Sequence, residues 1–413
     1  MSEVRILESA EEVERYRELI RYCFSDEFSR TAPIFSFMSE ADKFYGLYEK
    51  ETLESGVISR HFNASLWGRS IKLNGITYVA SSPEVRNKGH IRTLMTQILR
   101  DAYQSGYTAS ALYPFSFQFY GKFGYGSAGP VYKYQFAPED VNKDLMSQAG
   151  GSFEPLNSGR ESLEKAEKIE LFSQRFVEAE EITNRWAEKY SFGIELPFSA
   201  EQLRRYLGTQ NEYAYIYRSL KGEATAFIQY SMKPVGEDSF NIEVQRFSYL
   251  NGEGLRALMG FLARHRGQCP QVVLYGPSDL PISLMMKEPR TKTTQLSEWM
   301  VRPLDLLELL KMKVGQSGFK GTIRFSLQDP VIEENTATYT INSGDVSVAA
   351  FSGENELPFE SFSSLLSGAY SWSQMAAVGK VPSADEGLLD PKAEEEFSRL
   401  FAGGPPVMIS EPF

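Results

Sequence analysis

The stretch from Ile76 to Phe115 constrains the fold more than any other part of the chain. ITYVAS, from Ile76, is β-branched and aromatic and reads as a strand. SPEVRNKG follows as a loop ending on Gly89. Ile91, Leu94, Met95, Ile98, Leu99 and Ala102 then recur at i, i+3, i+4, i+7, i+8 and i+11, which fixes one apolar helix face closed by Gly106. YTASALYPF reads as a second strand. Strand, loop, helix and strand make a βαβ unit, and a right-handed crossover sets its two strands parallel.

The order returns in a weaker copy, SFNIEVQRFSYLNGEGLRALMGFLARHRGQCPQVVLYGP, where Leu255, Leu258, Met259 and Leu262 share a face. Its turn, Asn251 to Gly254, carries the acid Glu253 and no base, a poor cradle for phosphate. Elsewhere the pattern predicts a strand over Val4–Leu7 and a helix capped by Ser9 with Glu12 three residues on. Strands are expected over 44–82, with turns at Glu54–Gly56 and an Asn-Gly hairpin at Asn74–Gly75. A polar run over 138–165 marks a boundary, and a helix over Glu161–Lys189 follows it. Strands are then expected near Tyr213–Arg218, Ala224–Met232 and Phe240–Leu250. A third segment opens near Trp299 with the amphipathic MVRPLDLLELLKM. It continues with the strands TIRFSLQD, ATYTINSG and VSVAAFSG and ends in helical pieces. The chain is thus α/β with mixed α+β parts, and its 413 residues suit two to four domains.

Composition closes several routes. Lys and Arg number 43 against 54 Asp and Glu, a net charge of −11, so nucleic acid or an anionic membrane would need a local basic patch, and none of useful size occurs. The two cysteines, Cys23 and Cys269, cannot make a disulfide framework and fit a reducing cytoplasm. The charged, amphipathic start is not a secretory signal, and no apolar run approaches the ~20 residues of a membrane helix. A cytoplasmic protein is expected. His61, His90 and His265 share no metal-binding spacing, and neither GxSxG nor GxxxxGK[ST] occurs, so no metal is expected. The run Gly124–Gly129 satisfies GxGxxG, but a strand-like segment follows it in place of a helix, so it reads as a turn.

The chemistry-bearing candidate is Arg86-Asn87-Lys88-Gly89, between a strand and a helix. A helix start attracts anions, glycine lets the backbone approach closely, and Arg86 and Lys88 add positive charge. These residues fit a pyrophosphate site or, equally, a solvated basic turn. Tyr120 stands among Phe117, Phe119, Phe123 and Tyr125, where an aromatic core role is the bland reading.

VASSPEVRNKGHIRTLM, followed after a strand by FQFYGKFGY, resembles the GNAT family of acyl-CoA-dependent N-acetyltransferases. The R-x-x-G loop carries the likeness, with Ile91 where the family more often has Gly or Ala. The chain is more closely similar to the Eis-like (enhanced intracellular survival) subfamily in length, in P-x-x-R-x-x-G, in FYGKFGY and in the WMVRPLDLLELL opening of its third part. The resemblance implies tandem GNAT folds, mixed sheets flanked by helices, and then a C-terminal sterol-carrier-like α+β domain. The expected bounds are 1–148 for a catalytic domain, 149–296 for a degenerate second copy and 297–413 for the third part.

It also implies acetyl-CoA as co-substrate and direct transfer to a primary amine of a cationic small molecule or a lysine side chain. A homo-oligomer, a hexamer in the family, is implied as well. Val79, Ala80 and Ser81 would lie on the strand whose backbone groups hold the pantetheine arm and polarise the thioester. Arg86, Asn87, Lys88, Gly89, His90, Ile91 and Arg92 would cradle the pyrophosphate, and Phe115 and Ser116 would flank the other side. Tyr120 would be the general acid and the carboxylate of Phe413 the general base, with Phe24 and Asp26 lining the amine pocket. The alternative is a sterol-carrier-like protein that binds an apolar ligand on a non-catalytic GNAT scaffold.

Overall fold

The computed structural model describes residues 2–24, 41–156, 166–195, 212–402 and 404–408. The chain divides into two compact units. One is formed by the chain up to Gly129 together with Glu298–Val407, the other by Pro130–Ser297 with Met408.

The first unit opens with β1 (Ser2–Ile6), α1 (Ala10–Cys23), β2 (Lys43–Glu49), β3 (Thr52–Leu66) and β4 (Arg69–Ser81), followed by α2 (His90–Gln104), β5 (Ala109–Leu112) and the short α3 (Phe117–Gly121). β1 to β4 are an antiparallel ladder in chain order, and β4 pairs β5 in parallel, as the crossover requires. Ser9 and Glu12 form a capping box at the head of α1. The predicted apolar face of α2 is buried in full, from Leu94 to Ala102. The two helices take opposite faces of the sheet. Leu47, Val57 and Ile76 pack with α2, while Tyr48, Ile58 and Tyr78 pack with α1.

Two expected turns are corrected. β2 and β3 join through Lys50 (φ 58°) and Glu51, and Glu54–Gly56 lie inside β3. The β3–β4 hairpin turns at Trp67 and Gly68, with φ of 52° and 75°, leaving Asn74 and Gly75 mid-strand. Asn74 spends its amide inside the sheet. It donates to Ser59 Oγ at 2.6 Å and Arg60 O at 3.4 Å, and accepts from Ser110 Oγ at 3.2 Å.

β6 (Gly126–Phe136) carries the chain into the second unit, so most of the GxGxxG run is the head of a strand and not a free turn. There follow α4 (Leu145–Ala149), β7 (Ser152–Pro155), α5 (Ala166–Ala187), β8 (Gly193–Ile194), β9 (Glu212–Arg218), β10 (Ala224–Val235), β11 (Ser239–Tyr249), α6 (Gly252–Ala263) and β12 (Val272–Gly276). The strand order is β6-β12-β11-β10-β9-β7, with β11 and β12 parallel on either side of α6.

β13 (Lys292–Pro303) returns to the first unit, pairing antiparallel with β5 from Met300↔Leu112 to Pro303↔Ala109. The rest is α7 (Leu306–Ser317), an antiparallel sheet of β14 (Thr322–Leu327), β15 (Ala337–Asn342) and β16 (Asp345–Ala349), then α8 (Phe359–Ser367), α9 (Trp372–Ala377) and α10 (Pro391–Leu400). Aromatic rings fill its interior, with Trp372 stacked on Phe397 at 4.2 Å and Phe325 against Tyr339, Phe362 and Phe397.

Lys313 on α7 is fully buried, its ammonium 5.3 Å from the Trp67 ring. Burial lowers its pKa from 10.5 to about 8. Between those values the unfolded chain holds a proton that the folded chain has released, so stability should rise with pH across that window and stay level below it. The full span corresponds to ~3 kcal/mol. Denaturant titrations of wild type and Lys313→Met at pH 7, 8 and 9 check this: the rise should be absent from the variant.

Candidate active site

β4 outruns its parallel partner. The β4–β5 ladder runs from Leu73↔Ala109 to Ile76↔Leu112, after which β5 ends and β4 continues to Ser81. Between Ile58↔Thr77 and Gly56↔Ala80 the register slips, and Tyr78 and Val79 together face Val57. That is a β-bulge, and Tyr78 takes the left-handed conformation (φ 49°) that such a bulge uses. The buried Tyr16 of α1 donates its hydroxyl to the Tyr78 carbonyl. Gly56 makes room for it, since a Cβ there would stand 2.3 Å from the Tyr16 ring. Past the bulge, Thr77–Ser81 keep β3 on one side and, among the described residues, no strand on the other.

The loop after β4 is pinned by the buried Val85 and passes through two left-handed residues, Asn87 (φ 66°) and Gly89 (φ 89°). Gly89 is the N-cap of α2, and no side chain caps the first turn, which leaves the N–H groups of that turn for an anion. Arg86, Lys88 and Arg92 are exposed around it, with the Arg86 guanidinium 4.0 Å from Cys23 Sγ. His90 is buried. Its Nε2 lies 3.1 Å from Glu49 Oε1 and its Nδ1 3.4 Å from Ser55 Oγ, which in turn is 2.8 Å from Ser81 Oγ. Its side chain therefore fastens helix to sheet, and only its backbone faces the cradle. Ile91 packs half-buried on the core.

On the far side of β5, Ser116 caps α3 by accepting the Phe119 N–H at 3.2 Å. Tyr120 is 3% exposed, its ring 5.2 Å from Phe115 and 5.1 Å from Phe119, while Phe115 itself is 71% exposed. Tyr120 is thus core-packed, and its ring edge meets a solvent-facing aromatic. Burial, with Tyr125 adding to it, raises its pKa, so the phenol stays protonated in the physiological range. Among the described residues nothing hydrogen-bonds its hydroxyl.

Three residues that fix this tyrosine have no local sequence signal. Arg302 Nη1 donates to the Phe123 carbonyl at 2.6 Å, Arg302 Nη2 to Asp329 Oδ2 at 2.6 Å, and Ser363 Oγ to the Gly124 carbonyl at 2.8 Å. All three come from beyond β5 by some 200 residues of chain. Tyr16, which seizes the bulge, is equally silent in sequence. Phe24 stands edge-on to Tyr78 with centroids 5.5 Å apart; Asp26 and Phe413 lie outside the described residues. No described helix is long and apolar enough to cross a membrane, and no described cluster of His, Cys, Asp and Glu could hold a metal.

The corresponding place in the second unit is closed. Asn251 caps α6 through the Gly254 N–H at 2.9 Å, and Glu253 Oε1 lies 2.7 Å from the Tyr217 hydroxyl at the same helix start. Gly254 sits against the Thr225 carbonyl, where a Cβ would come within 2.7 Å. A phosphate there would displace a side-chain cap and meet a carboxylate.

Residues 3–128 match an acetyltransferase (GNAT) domain model, residues 199–303 a second acetyltransferase (GNAT) domain model, and residues 305–409 a sterol carrier protein domain. No curated protein matches the chain. Among solved structures, a GCN5-related N-acetyltransferase from Anabaena variabilis is 19% identical with a TM-score of 0.77, over 98% of this chain and 99% of its own. A probable N-acyltransferase from Enterococcus faecalis is 22% identical (TM-score 0.75), and Eis1 from Mycobacterium abscessus 16% (TM-score 0.77), each over 100% of both chains. At these identities the structures speak to fold, and the domain matches agree with them. The chain is built of two GNAT acetyltransferase domains followed by a sterol carrier protein domain, the Eis-like arrangement.

Proposed function

We propose that the first domain is an acetyl-CoA-dependent N-acetyltransferase acting on a primary amine of a cationic small molecule or a lysine side chain. One conjunction carries the reading: an open strand edge past the bulge, Thr77–Ser81, leads to an uncapped, glycine-started helix ringed by Arg86 and Lys88. Acyl-CoA offers a match for each part. The amides of its pantetheine arm can pair with the Val79 carbonyl and with the backbone of Ala80 and Ser81 as a strand would. Its pyrophosphate suits Arg86 to Arg92 at the helix start. Phe115 and Ser116 close the other side.

When bound, acyl-CoA supplies a thioester. The amine must first give up its proton to a base or a water relay, because an ammonium has no free pair. The N–C bond then forms, the nitrogen gives up its second proton to water as the C–S bond breaks, and the thiolate recovers a proton from water. The Val79 N–H, at the bulge, is the backbone donor for the thioester oxygen. Tyr120 is the donor for the departing sulfur. A thiol of the cysteine type titrates near about 8.5, below a buried phenol, so the tyrosine's main part is to hold the thiolate by a hydrogen bond while the proton arrives. The net charge of −11 favours cationic acceptors.

The apolar-carrier alternative finds little support in the third domain. Its interior is filled by stacked rings, and a cleft of about 430 Å³ among its described residues is lined by Lys320, Glu396, Arg399 and Ser317 with Phe319 and two glycines, a mainly polar surface.

Free-thiol release from acetyl-CoA with a panel of primary alkylamines tests the reading. Tyr120→Phe should lower kcat by about 10²-fold with acetyl-CoA affinity preserved; full turnover in that variant would falsify the assignment. Because its pKa is raised, Tyr120 should impose no loss of kcat up to pH 10, and an alkaline limb centred below that value would contradict it. Calorimetry should show one acetyl-CoA per chain. Arg86→Ala with Lys88→Ala should weaken that binding in a salt-sensitive way, while two equal sites would contradict the closed second copy.

A further inference from the structure

We propose that Tyr16, on α1, is a positioning residue that aims the Val79 N–H at the thioester oxygen, so that the helix packed behind the sheet sets the polarising donor. This rests on the acetyl-CoA reading above.

A strand peptide ordinarily points its carbonyl and N–H sideways, into the ladder. At Tyr78 the left-handed φ of 49° turns the following peptide out of that plane. Its carbonyl accepts from the Tyr16 hydroxyl, and Tyr16 is fully buried on the face covered by α1. The described chain holds no cis peptide, and in a trans peptide the C=O and N–H point in opposite directions. Fixing the Tyr78 carbonyl toward α1 therefore directs the Val79 N–H to the other face. That face belongs to α2, with which Val79 packs and whose first turn is the anion cradle. Donor and cradle are brought to the same side of the sheet by one hydroxyl on the opposite side.

Two neighbours keep that hydroxyl in place. Gly56, across the ladder from Ala80, leaves the space the Tyr16 ring fills. The ring also meets Phe44 edge-on, with centroids 6.2 Å apart. Burial raises the Tyr16 pKa well above the ordinary phenol value, so it remains a donor at any pH the enzyme meets. Without the hydroxyl, the Tyr78 carbonyl loses the donor that draws it toward α1, and the 78–79 peptide can rotate back toward an ordinary strand orientation.

The test is Tyr16→Phe, which keeps the ring, read by the vibrational band of the thioester carbonyl in bound [1-¹³C]acetyl-CoA. A hydrogen bond to that oxygen lowers the band. The variant should bind acetyl-CoA within about twofold of wild type, show the band moved toward higher wavenumber, and lose about tenfold in kcat with KM for acetyl-CoA unchanged. Gly56→Ala, which pushes the ring aside, should move the band the same way. An unmoved band in both variants, with acetyl-CoA bound, overturns the proposal. So does a loss confined to KM. Failure of the wild-type chain to bind acetyl-CoA would instead remove the function on which the proposal rests, and the calorimetry reads that separately.

Discussion

In a parallel pair of strands each residue's backbone groups are normally consumed by the neighbours on both sides. β4 breaks this rule midway: four residues pair with β5, the bulge at Tyr78–Val79 follows, and the last turn of strand has one free edge. An unpaired edge in a folded domain costs hydrogen bonds and invites unwanted pairing. It persists here because the disruption is held from three directions. α1 grips the Tyr78 carbonyl, Ser55 and His90 tie Ser81 and the head of α2 to β2 and β3, and β13 occupies the far side of β5. The strand edge past the bulge is therefore held open, and on the proposed reading its two walls end in the groups that would meet a thioester with a pyrophosphate tail.

The other wall depends on chain far downstream, from Arg302 into the third domain. α3 has five residues, too few to stand as a helix in water on its own. The carbonyls of Phe123 and Gly124, just past its C-terminus, accept from Arg302 and Ser363, a cation and a hydroxyl near the end where the helix dipole is negative. A buried ion pair such as Arg302–Asp329 is weak evidence for stability, since desolvation offsets the attraction. Its value here lies in completeness. Asp329 also accepts the Val331 and Ile332 N–H groups and the Asn335 amide, so few lone pairs are idle and the guanidinium has one place to be. Gly126 lets α8 lie flush on the chain just after α3, where a Cβ would come 2.1 Å from the Glu360 carbonyl. The tandem of domains thus makes physical sense as a way to immobilise a five-residue helix.

What the sequence made legible follows the range of the interactions involved. α2 could be read residue by residue because its apolar period is local, and the Arg86–Gly89 loop as its start because the glycine stands directly before that period. Asn74–Gly75 misled for the same reason: the dipeptide's turn preference is local, but Asn74 found Ser59, Arg60 and Ser110 as partners across three strands. Trp67, with no turn preference to advertise, bends the chain instead, its ring engaged by the Lys313 ammonium. Tyr16, Arg302 and Ser363 were invisible because each acts on a backbone carbonyl distant in sequence, and a carbonyl leaves no trace in residue type.

The two GNAT copies show how little separates a cradle from a closed helix start. Both place a glycine-containing turn between a strand and an apolar-faced helix, and in both the flanking strands are parallel. In the first, Gly89 caps without a side chain, and Arg86, Lys88 and Arg92 stand exposed around it. In the second, Asn251 satisfies the Gly254 N–H itself, and Glu253 reaches Tyr217, whose hydroxyl also accepts the Gly151 N–H at 2.9 Å. The donors that would meet a phosphate are spent internally, and the local charge has the wrong sign. Such a copy gains stability from satisfied groups that the first must leave open. On the proposed reading the first copy's uncapped turn is kept for its ligand, since packing alone would favour the arrangement found in the second.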